Sequence, residues 1–461
     1  MDSRLETARV SAAARRAREQ AESLGRPVLA VVSLEIPAAD PLGLFASWTG
    51  KPGGFWEQRS QGAAMAWSGS ALSLSAQGPG RFSALKTGWD DARRDAFVEP
   101  KSSEVRAFCG AAFWADEPAA EEIWSQFPST ELTVPEVLAT AAGPTCTLQL
   151  ARMIDSAEAG RQWERDIAAM PLWPQTGTLE PEPRCEPAAS LEIPPRAAWL
   201  ETVGQAVEDI KAGRYQKVVL ARRLDLELRR PVDPAAILNR LRARHPDATT
   251  FAIGRDGSCF LGATPERLLR VDGGTVEVPC IAGSAPRGAG VLEDRSRMEE
   301  LLHDPKNRSE HELVVRSVEA ALGPMCGDSV KTEGRPSVMT LPNIHHLRSL
   351  VRARANAGVG PLELLDALHP TAAVGGYPRE EALPALRRLE SIDRGWYAGP
   401  IGWLDTNGRA EFVVALRSAL VSEARAHLFA GCGVIARSRP ENEWDETVTK
   451  MQPMRSALLG E

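Results

Sequence analysis

Two apolar runs dominate the C-terminal part of the chain, at residues 412–421 and 428–435. Both are shorter than a typical buried helix, so each predicts a buried β-strand. Arg417 lies inside the first run. Because a guanidinium stays charged, its burial is costly unless an anion pairs with it, and its planar fork suits a carboxylate. The pattern therefore identifies Arg417 as a candidate anion ligand.

The second run contains Gly431 and Gly433, where no Cβ keeps a ligand away from the backbone. A helix is predicted beyond them, because Ser438 and Glu441 have the spacing of a capping box. At 100° per residue, its apolar face carries Trp444, Val448 and Met451. A different face carries Glu443, Glu446 and Lys450. These charged residues either face solvent, with an i,i+4 pair worth about 0.2–0.5 kcal/mol, or face a functional site.

A strand is predicted at residues 216–228, where apolar side chains occupy the even positions. This alternation puts Lys217 on the opposite face, beside Val219 and Ala221. A lysine in that position is either a solubilising residue at a sheet edge or a base in an apolar site. The strand alone does not distinguish the two.

Two hairpins follow, and the second ends at residues 282–284. Their turns contain Asp256-Gly257 and Asp272-Gly273-Gly274. The backbone at Gly283 and the hydroxyl of Ser284 could cradle an anion, although a single Gly-Ser turn is a weak signal.

Residues 306–322 predict a helix whose apolar stripe includes Glu310. A carboxylate in line with the core face is either in the exposed first turn, where the helix dipole favours it, or directed at a cation. Both interpretations remain open from the sequence.

The N-terminal half predicts a helix at residues 4–24, a strand at 28–36 and several short strands. The spacing of these strands is too short for βαβ crossovers, which indicates an antiparallel sheet. Residues 171–195 are rich in proline and predict an exposed connection between two halves of the chain.

Composition describes a globular protein of 461 residues, 43% hydrophobic and 25% charged. A net charge of -7 argues against a nucleic-acid surface. The seven cysteines are scattered and odd in number, which disfavours a disulfide framework or a zinc site and favours a reducing cytoplasm. No signal peptide or membrane-spanning run is recognisable.

Ten segments in order carry a family resemblance: KVVLARR, GATPERL, IAGSAPRG, DPKNRSEHELVV, LPNIHHL, LHPTAAVGGYP, DRGWYAGPIGW, EFVVALRSA, AGCGVIARS and ENEWDETVTKM. Together they resemble the chorismate-utilising enzymes, most closely the isochorismate synthases. The resemblance is dense over residues 198–458 and loose before them.

The resemblance implies an α+β fold like that of anthranilate synthase component I, with two antiparallel sheets packed face to face and helices outside. Residues 1–195 are then expected to contribute strands to the same fold, and residues 196–461 to form the chorismate-binding catalytic part. The implied reaction depends on magnesium. Water adds at C2 of chorismate while the C4 hydroxyl leaves, so a base, an acid, a cation and carboxylate ligands are needed.

The resemblance also implies roles for individual residues. Lys217 is similar in position to the general base of the family and Glu266 to its general acid. The implied magnesium ligands are Glu310 and Glu446, with Glu443 beside them acting through water. The implied ligands of the substrate are Ser284, Gly283, Ala373, Arg417, Gly431 and Lys450.

Other members of the family leave alternatives open. Lys217 implies water rather than ammonia as the nucleophile, but salicylate synthases share this lysine and also eliminate pyruvate. Ala373 and Val374 resemble the small apolar wall of isochorismate synthases, and the long N-terminal part favours the menaquinone-type enzymes over the siderophore type. A non-catalytic subunit that binds an aromatic acid is a third possibility. We expect chorismate as the small-molecule partner, a monomer or weak homodimer, and a structural role for His345-His346.

Overall fold

The chain folds into two large, mostly antiparallel β-sheets with helices packed against them. The predicted α+β class is confirmed by these sheets and helices. The computed structural model describes residues 3–48, 51–116, 122–169, 179, 184–341 and 344–461. Within the described ranges, no helix has the length and apolar character needed to cross a bilayer.

The helices are α1 (Ser3–Leu24), α2 (Pro41–Ser47), α3 (Arg81–Arg94), α4 (Ala157–Ala169), α5 (Arg196–Lys211), α6 (Pro234–Arg244), α7 (Val291–His303), α8 (Pro305–Cys326), α9 (Pro361–Leu368), α10 (Arg379–Leu389) and α11 (Pro440–Leu459). The strands of the N-terminal part are β1 (Val28–Ile36), β2 (Gly53–Gln58), β3 (Ala63–Ser68), β4 (Leu72–Ala76), β5 (Phe97–Glu99), β6 (Arg106–Ala111), β7 (Thr130–Val134), β8 (Val137–Ala142), β9 (Thr145–Ile154) and β10 (Pro187–Ile193).

The remaining strands are β11 (Lys217–Leu228), β12 (Thr249–Arg255), β13 (Ser258–Thr264), β14 (Arg267–Asp272), β15 (Thr275–Pro286), β16 (Lys331–Thr332), β17 (Ser337–Thr340), β18 (Ile344–Arg354), β19 (Gly376–Tyr377), β20 (Pro400–Asp405), β21 (Ala410–Val414), β22 (Ser418–Ser422) and β23 (Arg425–Val434).

Each sheet contains strands from both halves of the sequence. The larger sheet has the order β10-β11-β23-β22-β13-β12-β2-β3-β8-β9-β1-β5, with β19 beside β11. The smaller has the order β16-β18-β15-β14-β21-β20-β6-β7-β4, with β17 beside β18. Thus β2 pairs with β12, and β6 pairs with β20. That residues 196–461 form the catalytic part and residues 1–195 only contribute strands stays a prediction.

The main hydrophobic core lies between the two sheets. Trp67 of β3 stacks on Phe108 of β6 with ring centroids 3.6 Å apart. A second core lies on the other side of the larger sheet, where α1, α6 and α11 cover it. Residues on alternating sides of the same strand, such as Trp56 and Phe55, therefore enter different cores.

The apolar run at residues 412–421 is two strands rather than the single strand predicted. Its first part is β21 of the smaller sheet and its second is β22 of the larger sheet. Arg417 makes the crossing with a φ of 50°, in the left-handed region. That backbone conformation costs about 1–2 kcal/mol for a residue with a Cβ. Apolar character alone could not reveal the break, because both strands are buried.

Two further expectations need correction. Helix α11 begins after Arg439 without a side-chain cap, so the capping box of Ser438 and Glu441 does not form. Ser438 Oγ instead accepts a hydrogen bond from the Ile435 amide at 3.1 Å. Val448 is 45% exposed, so the apolar stripe of α11 is interrupted there.

The proline-rich connection predicted at residues 171–195 lies partly outside the described residues. Its last part is described, and it is β10, which pairs with β11 along the edge of the larger sheet. The exposed connection predicted from the sequence is therefore a regular strand over Pro187–Ile193. Most of that strand is exposed, so hydrophobic periodicity gave no indication of it.

Candidate active site

A cavity in the C-terminal half collects all the residues proposed above for chemistry and binding. Its empty space is about 1080 Å³ when the part that is open to solvent is included, which is enough for a small organic ligand. The predicted residues on its wall are Lys217, Glu266, Gly283, Ser284, Glu310, Ala373, Arg417, Gly431, Glu443, Glu446 and Lys450. Five separate elements and three loops supply them, so their convergence is a property of the fold.

Lys217 and Glu310 form an ion pair inside the cavity. Lys217 begins β11 and is 1% exposed, so it is not a solubilising residue. Its Nζ lies 2.9 Å from Oε1 of Glu310 in α8. Of the two interpretations of Glu310, the one directed at a cation is therefore correct. The side chains of Val219 and Ala221 line the cavity beside Lys217, as the alternation in the strand predicted.

Gly433 makes the space for this ion pair. A Cβ built at Gly433 would lie 2.6 Å from Oε1 of Glu310 and 2.9 Å from Cε of Lys217. No other side chain fits at this position without moving the two charged groups. The sequence indicated that a ligand could approach the backbone at Gly431 and Gly433 of β23, but not that Gly433 makes space for this ion pair.

Gly433→Ala should therefore displace Lys217 and Glu310 with little loss of stability, because flexible side-chain ends can move aside. A shift of about 1 Å in a catalytic group can cost about 10²-fold in rate, and we expect a loss of that order in turnover. Gly254→Ala in β12 is a matched control, because its Cβ would meet only Gly53 O, at 3.7 Å. Equal activity of the two variants in steady-state kinetics would contradict this role of Gly433.

The charged face of α11 points into the cavity rather than into solvent. Lys450 Nζ lies 2.5 Å from Oε1 of Glu446 and donates to the carbonyl of Gly431 at 3.0 Å. Burial alone would lower the pKa of Lys450, but Glu446 raises it above its ordinary value. The reverse effect lowers the pKa of Glu446 against the influence of burial. Both groups are therefore charged at neutral pH.

Glu443 differs from Glu446 because its nearest cation is farther away. It is 2% exposed, and Lys306 Nζ lies 3.8 Å from its carboxylate. Burial raises the pKa of Glu443 to about 7, and the nearby charge of Glu446 adds to this effect. A buried acid beside another carboxylate is a favourable place for a cation.

The three carboxylates have the donor chemistry for magnesium, which prefers few oxygen ligands and retains several waters. In the part of the chain that is described, no group of three or more His, Cys, Asp or Glu side chains is assembled closely enough to hold a metal ion. Glu310 is paired with Lys217, and Glu446 with Lys450. The donor set fits magnesium, and the site in this conformation is occupied by lysine ammonium groups.

Glu266 has the properties of an acid that is protonated near neutral pH. It follows β13 in a partly buried position on the cavity wall. Burial raises its pKa to about 7, although Lys450 and Lys217 oppose this shift. Its amide donates to Thr264 Oγ1 at 3.2 Å, and its carbonyl accepts from the Val414 amide at 3.0 Å. These bonds attach the residue to both sheets.

Arg417 is a buried cation available to a ligand. Burial lowers the pKa of its guanidinium, and Tyr397 and Glu446 partly oppose this effect. Among the described residues, no carboxylate forms an ion pair with it. Its carbonyl accepts from Ala263, and Gly262 makes room for this contact. The anion inferred from the sequence is therefore not supplied by the described part of the protein.

Residues 282–284 lie in β15, where Ser284 provides a hydroxyl to the cavity. The Ser284 amide donates to Asn307 Oδ1 at 2.9 Å, so this amide is not available to an anion in this conformation. Ser284 Oγ lies 2.8 Å from Nδ1 of His346. Burial, with Arg417 and Lys450, lowers the pKa of His346 to about 3, so the imidazole is neutral.

The two adjacent histidines have different surroundings. His345 bonds to Asp294 at 2.9 Å and to Thr340 at 3.0 Å, which agrees with a structural role. His346 lines the cavity and its Nδ1 lies beside the Ser284 hydroxyl, so a structural role for it stays a prediction. Alternation along β18 could have separated the two, because neighbouring side chains in a strand face opposite sides.

Four further polar residues on the cavity wall were not identified from the sequence: Lys306, Asn307, Arg394 and Tyr397. Lys306 and Asn307 lie in the first turn of α8, close to Glu443 and Ser284. Spacing from Glu310 along α8 could have suggested Asn307, which is three residues away. No periodic signal marks Arg394 or Tyr397, because they lie in an irregular segment.

A search of protein families matches residues 14–459 to the model described as chorismate binding enzyme. The salicylate biosynthesis isochorismate synthase of Pseudomonas aeruginosa is 38% identical over 450 residues, 96% of this chain and 93% of that protein. The isochorismate synthase MenF of Bacillus subtilis is 32% identical over 464 residues, covering 96% of each. The solved structure of MenF, the menaquinone-specific isochorismate synthase from Escherichia coli, matches with a TM-score of 0.80 at 27% identity, covering 97% of this chain and 100% of that one. This chain therefore belongs to the chorismate binding enzyme family.

Proposed function

We propose that the protein is an isochorismate synthase, which converts chorismate to isochorismate. The single observation that carries the proposal is that one cavity is lined by a buried lysine, Lys217, a carboxylic acid of raised pKa, Glu266, and an arginine without an ion-pair partner, Arg417. The names of both relatives and of the matched structure include isochorismate synthase. A binding subunit without turnover would need neither a base nor an acid.

In the proposed reaction, water attacks C2 of chorismate and the C4 hydroxyl leaves. Lys217 is the base that takes a proton from the water, once its ammonium has been released from Glu310 and has lost its own proton. Glu266 is the acid that gives a proton to the departing hydroxyl, which suits its pKa of about 7. Atoms balance, because one water enters as one leaves.

Arg417 and Lys450 are the proposed ligands of the two substrate carboxylates, assisted by the Ser284 hydroxyl. The buried positive charge of Arg417 supports this assignment, because no carboxylate in the described ranges forms an ion pair with it. A Cβ at Gly283 would lie 2.9 Å from Asn307 O and one at Gly431 would lie 2.8 Å from Leu220 O, so both glycines allow the cavity wall to pack closely. Ala373 and Val374 form the apolar side, against which we place the substrate ring.

Magnesium is the proposed cofactor, held by Glu310 and Glu446 with Glu443 acting through water. The ion would supply positive charge for a substrate carboxylate. Glu310 would hold the ion in place of its present ion pair with Lys217, and Glu446 in place of its pair with Lys450.

Glu446→Gln should weaken magnesium binding, because it removes an anionic ligand from a buried site. A loss of a charged oxygen ligand is expected to raise the magnesium concentration for half-maximal activity by about 10-fold or more. Glu441→Gln, in the first turn of α11 and outside the cavity lining, is the control. An unchanged magnesium titration for Glu446→Gln, monitored by activity and by calorimetry, would refute the ligand role.

The proposed activity is tested by incubating the protein with chorismate and magnesium and separating the products by chromatography. Isochorismate approaching an equilibrium mixture with chorismate is the expected result, and EDTA should abolish it. Salicylate and pyruvate accumulating to completion would instead identify a salicylate synthase. Absence of any turnover, with chorismate still bound, would support the binding subunit.

The pathway served by the product is a separate matter. One relative is named for salicylate biosynthesis, and the matched structure is named as menaquinone-specific. We propose a menaquinone-type role, because the chain aligns with the full length of that structure. A cytoplasmic monomer or weak homodimer that binds chorismate, and neither nucleic acid nor membrane, completes the proposal.

A further inference from the structure

Strand β11 lacks a strand neighbour over part of one edge. On this edge β19 pairs with Lys217 and Val218, and β10 pairs with residues from Arg223 onward. Residues 219–222 lie between the two partners and have no strand beside them on this side in the described chain. The side chains of Val219 and Ala221 line the cavity from this same stretch.

Two charged side chains occupy the gap in place of a strand. Glu390 Oε1 accepts a hydrogen bond from the Ala221 amide at 2.6 Å. Arg394 Nη2 donates to the carbonyl of Val219 at 2.6 Å. The carboxylate and guanidinium also bond to each other at 2.5 Å. They therefore supply the acceptor and the donor that a neighbouring strand would supply.

Arg394 also binds the cavity wall that contains Val374, opposite β11. Its Nη1 donates to the carbonyl of Val374 at 2.8 Å, and its Cζ lies 4.2 Å from the centre of the Phe113 ring. The side chain is 1% exposed. One guanidinium thus fixes the distance between β11 and the apolar Val374 wall.

The charge of Arg394 is neutralised inside the protein, in contrast to that of Arg417. Glu390 is 4% exposed and makes two hydrogen bonds with Arg394, at 2.9 Å and 2.5 Å. Desolvation of a buried ion pair offsets most of its attraction, so such a pair is weak evidence for stability. The contacts with backbone on both walls instead indicate control of geometry.

We propose that Glu390 and Arg394 are positioning residues, which hold the backbone beside Lys217 and the Val374 wall at the separation needed for catalysis. The proposal rests on the proposed isochorismate synthase activity. Neither residue is expected to exchange protons with the substrate, because both are saturated by internal contacts. Their effect passes through Val219, Ala221 and Val374.

The test compares Arg394→Lys, Arg394→Met and the double variant Glu390→Met/Arg394→Met, which leaves no unpaired buried charge. For Arg394→Met we expect kcat per folded molecule to fall by about 10²-fold, with KM for chorismate changed less than threefold, since Arg417 and Lys450 remain. Arg394→Lys should recover part of kcat. Asp405→Asn is the matched control, because Asp405 and Arg409 form an i,i+4 pair at 2.7 Å outside the cavity lining.

Unchanged kcat in Arg394→Met and the double variant would overturn the proposal, and so would an equal fall in Asp405→Asn. Hydrogen exchange gives a readout independent of turnover. The Ala221 amide should exchange faster in the double variant than in the wild type, and unchanged protection would overturn the proposal whatever reaction the enzyme performs. Failure of the wild type to form isochorismate would count against the proposed function alone.

Discussion

Lys217→Ala should reduce the kcat for isochorismate formation by about 10³-fold, which is within the usual contribution of a general base. The lysine is buried in the cavity and no other neutralisable amine lines it except Lys306 and Lys450 among the described residues. Lys450 forms an ion pair with Glu446. Chorismate should still bind, because Arg417 remains. Stopped assays of product and equilibrium dialysis of chorismate measure the two effects separately.

The control for this variant is Lys211→Ala, because Lys211 lies at the exposed end of α5 and pairs with Glu208. It should have normal turnover. If Lys217→Ala converted chorismate at the rate of the wild type, the base assignment would be wrong. Loss of binding together with turnover would instead make Lys217 a substrate ligand.

Glu266→Gln should reduce kcat by about 10²-fold or more, since an amide cannot deliver a proton to the leaving hydroxyl. The kcat of the wild type should also depend on pH through the titration of the Glu266 carboxyl group. Burial raises the pKa of Glu266 to about 7, so the required protonated form predominates below pH 7 and is lost above it. We therefore expect a descending limb in the profile of kcat against pH that begins near pH 7.

The variant removes the titrating group, so its residual activity should lack that descending limb. Glu227→Gln, an exposed position of β11, is the control and should retain the wild-type profile. A descending limb that persists unchanged in Glu266→Gln would assign it to another group. Profiles measured at saturating magnesium separate this effect from metal binding.

Local patterns predicted the parts of the site that lie on regular elements. Alternation in β11 placed Lys217 on the cavity side, and the helical repeat placed Glu443, Glu446 and Lys450 on one face. Both predictions need only the geometry of one element. Assembly of the elements into one cavity was implied by the family resemblance rather than by any periodicity.

Residues whose role depends on distant partners could not be predicted in this way. Gly433 is required because Lys217 and Glu310 meet above it. Arg394 is buried against the carbonyls of Val219 and Val374, which are 175 and 20 positions away in sequence. The break at Arg417 was missed because two strands of different sheets share one apolar run.

The crossing at Arg417 ties ligand recognition to the mechanics of the whole fold. Since β21 belongs to one sheet and β22 to the other, any sliding of the sheets would rotate the guanidinium that lies between them. Close packing transmits such displacements instead of absorbing them. Substitutions deep in the aromatic layer between the sheets, far from the cavity, are thus a route by which selection could tune substrate affinity without altering a single ligand contact.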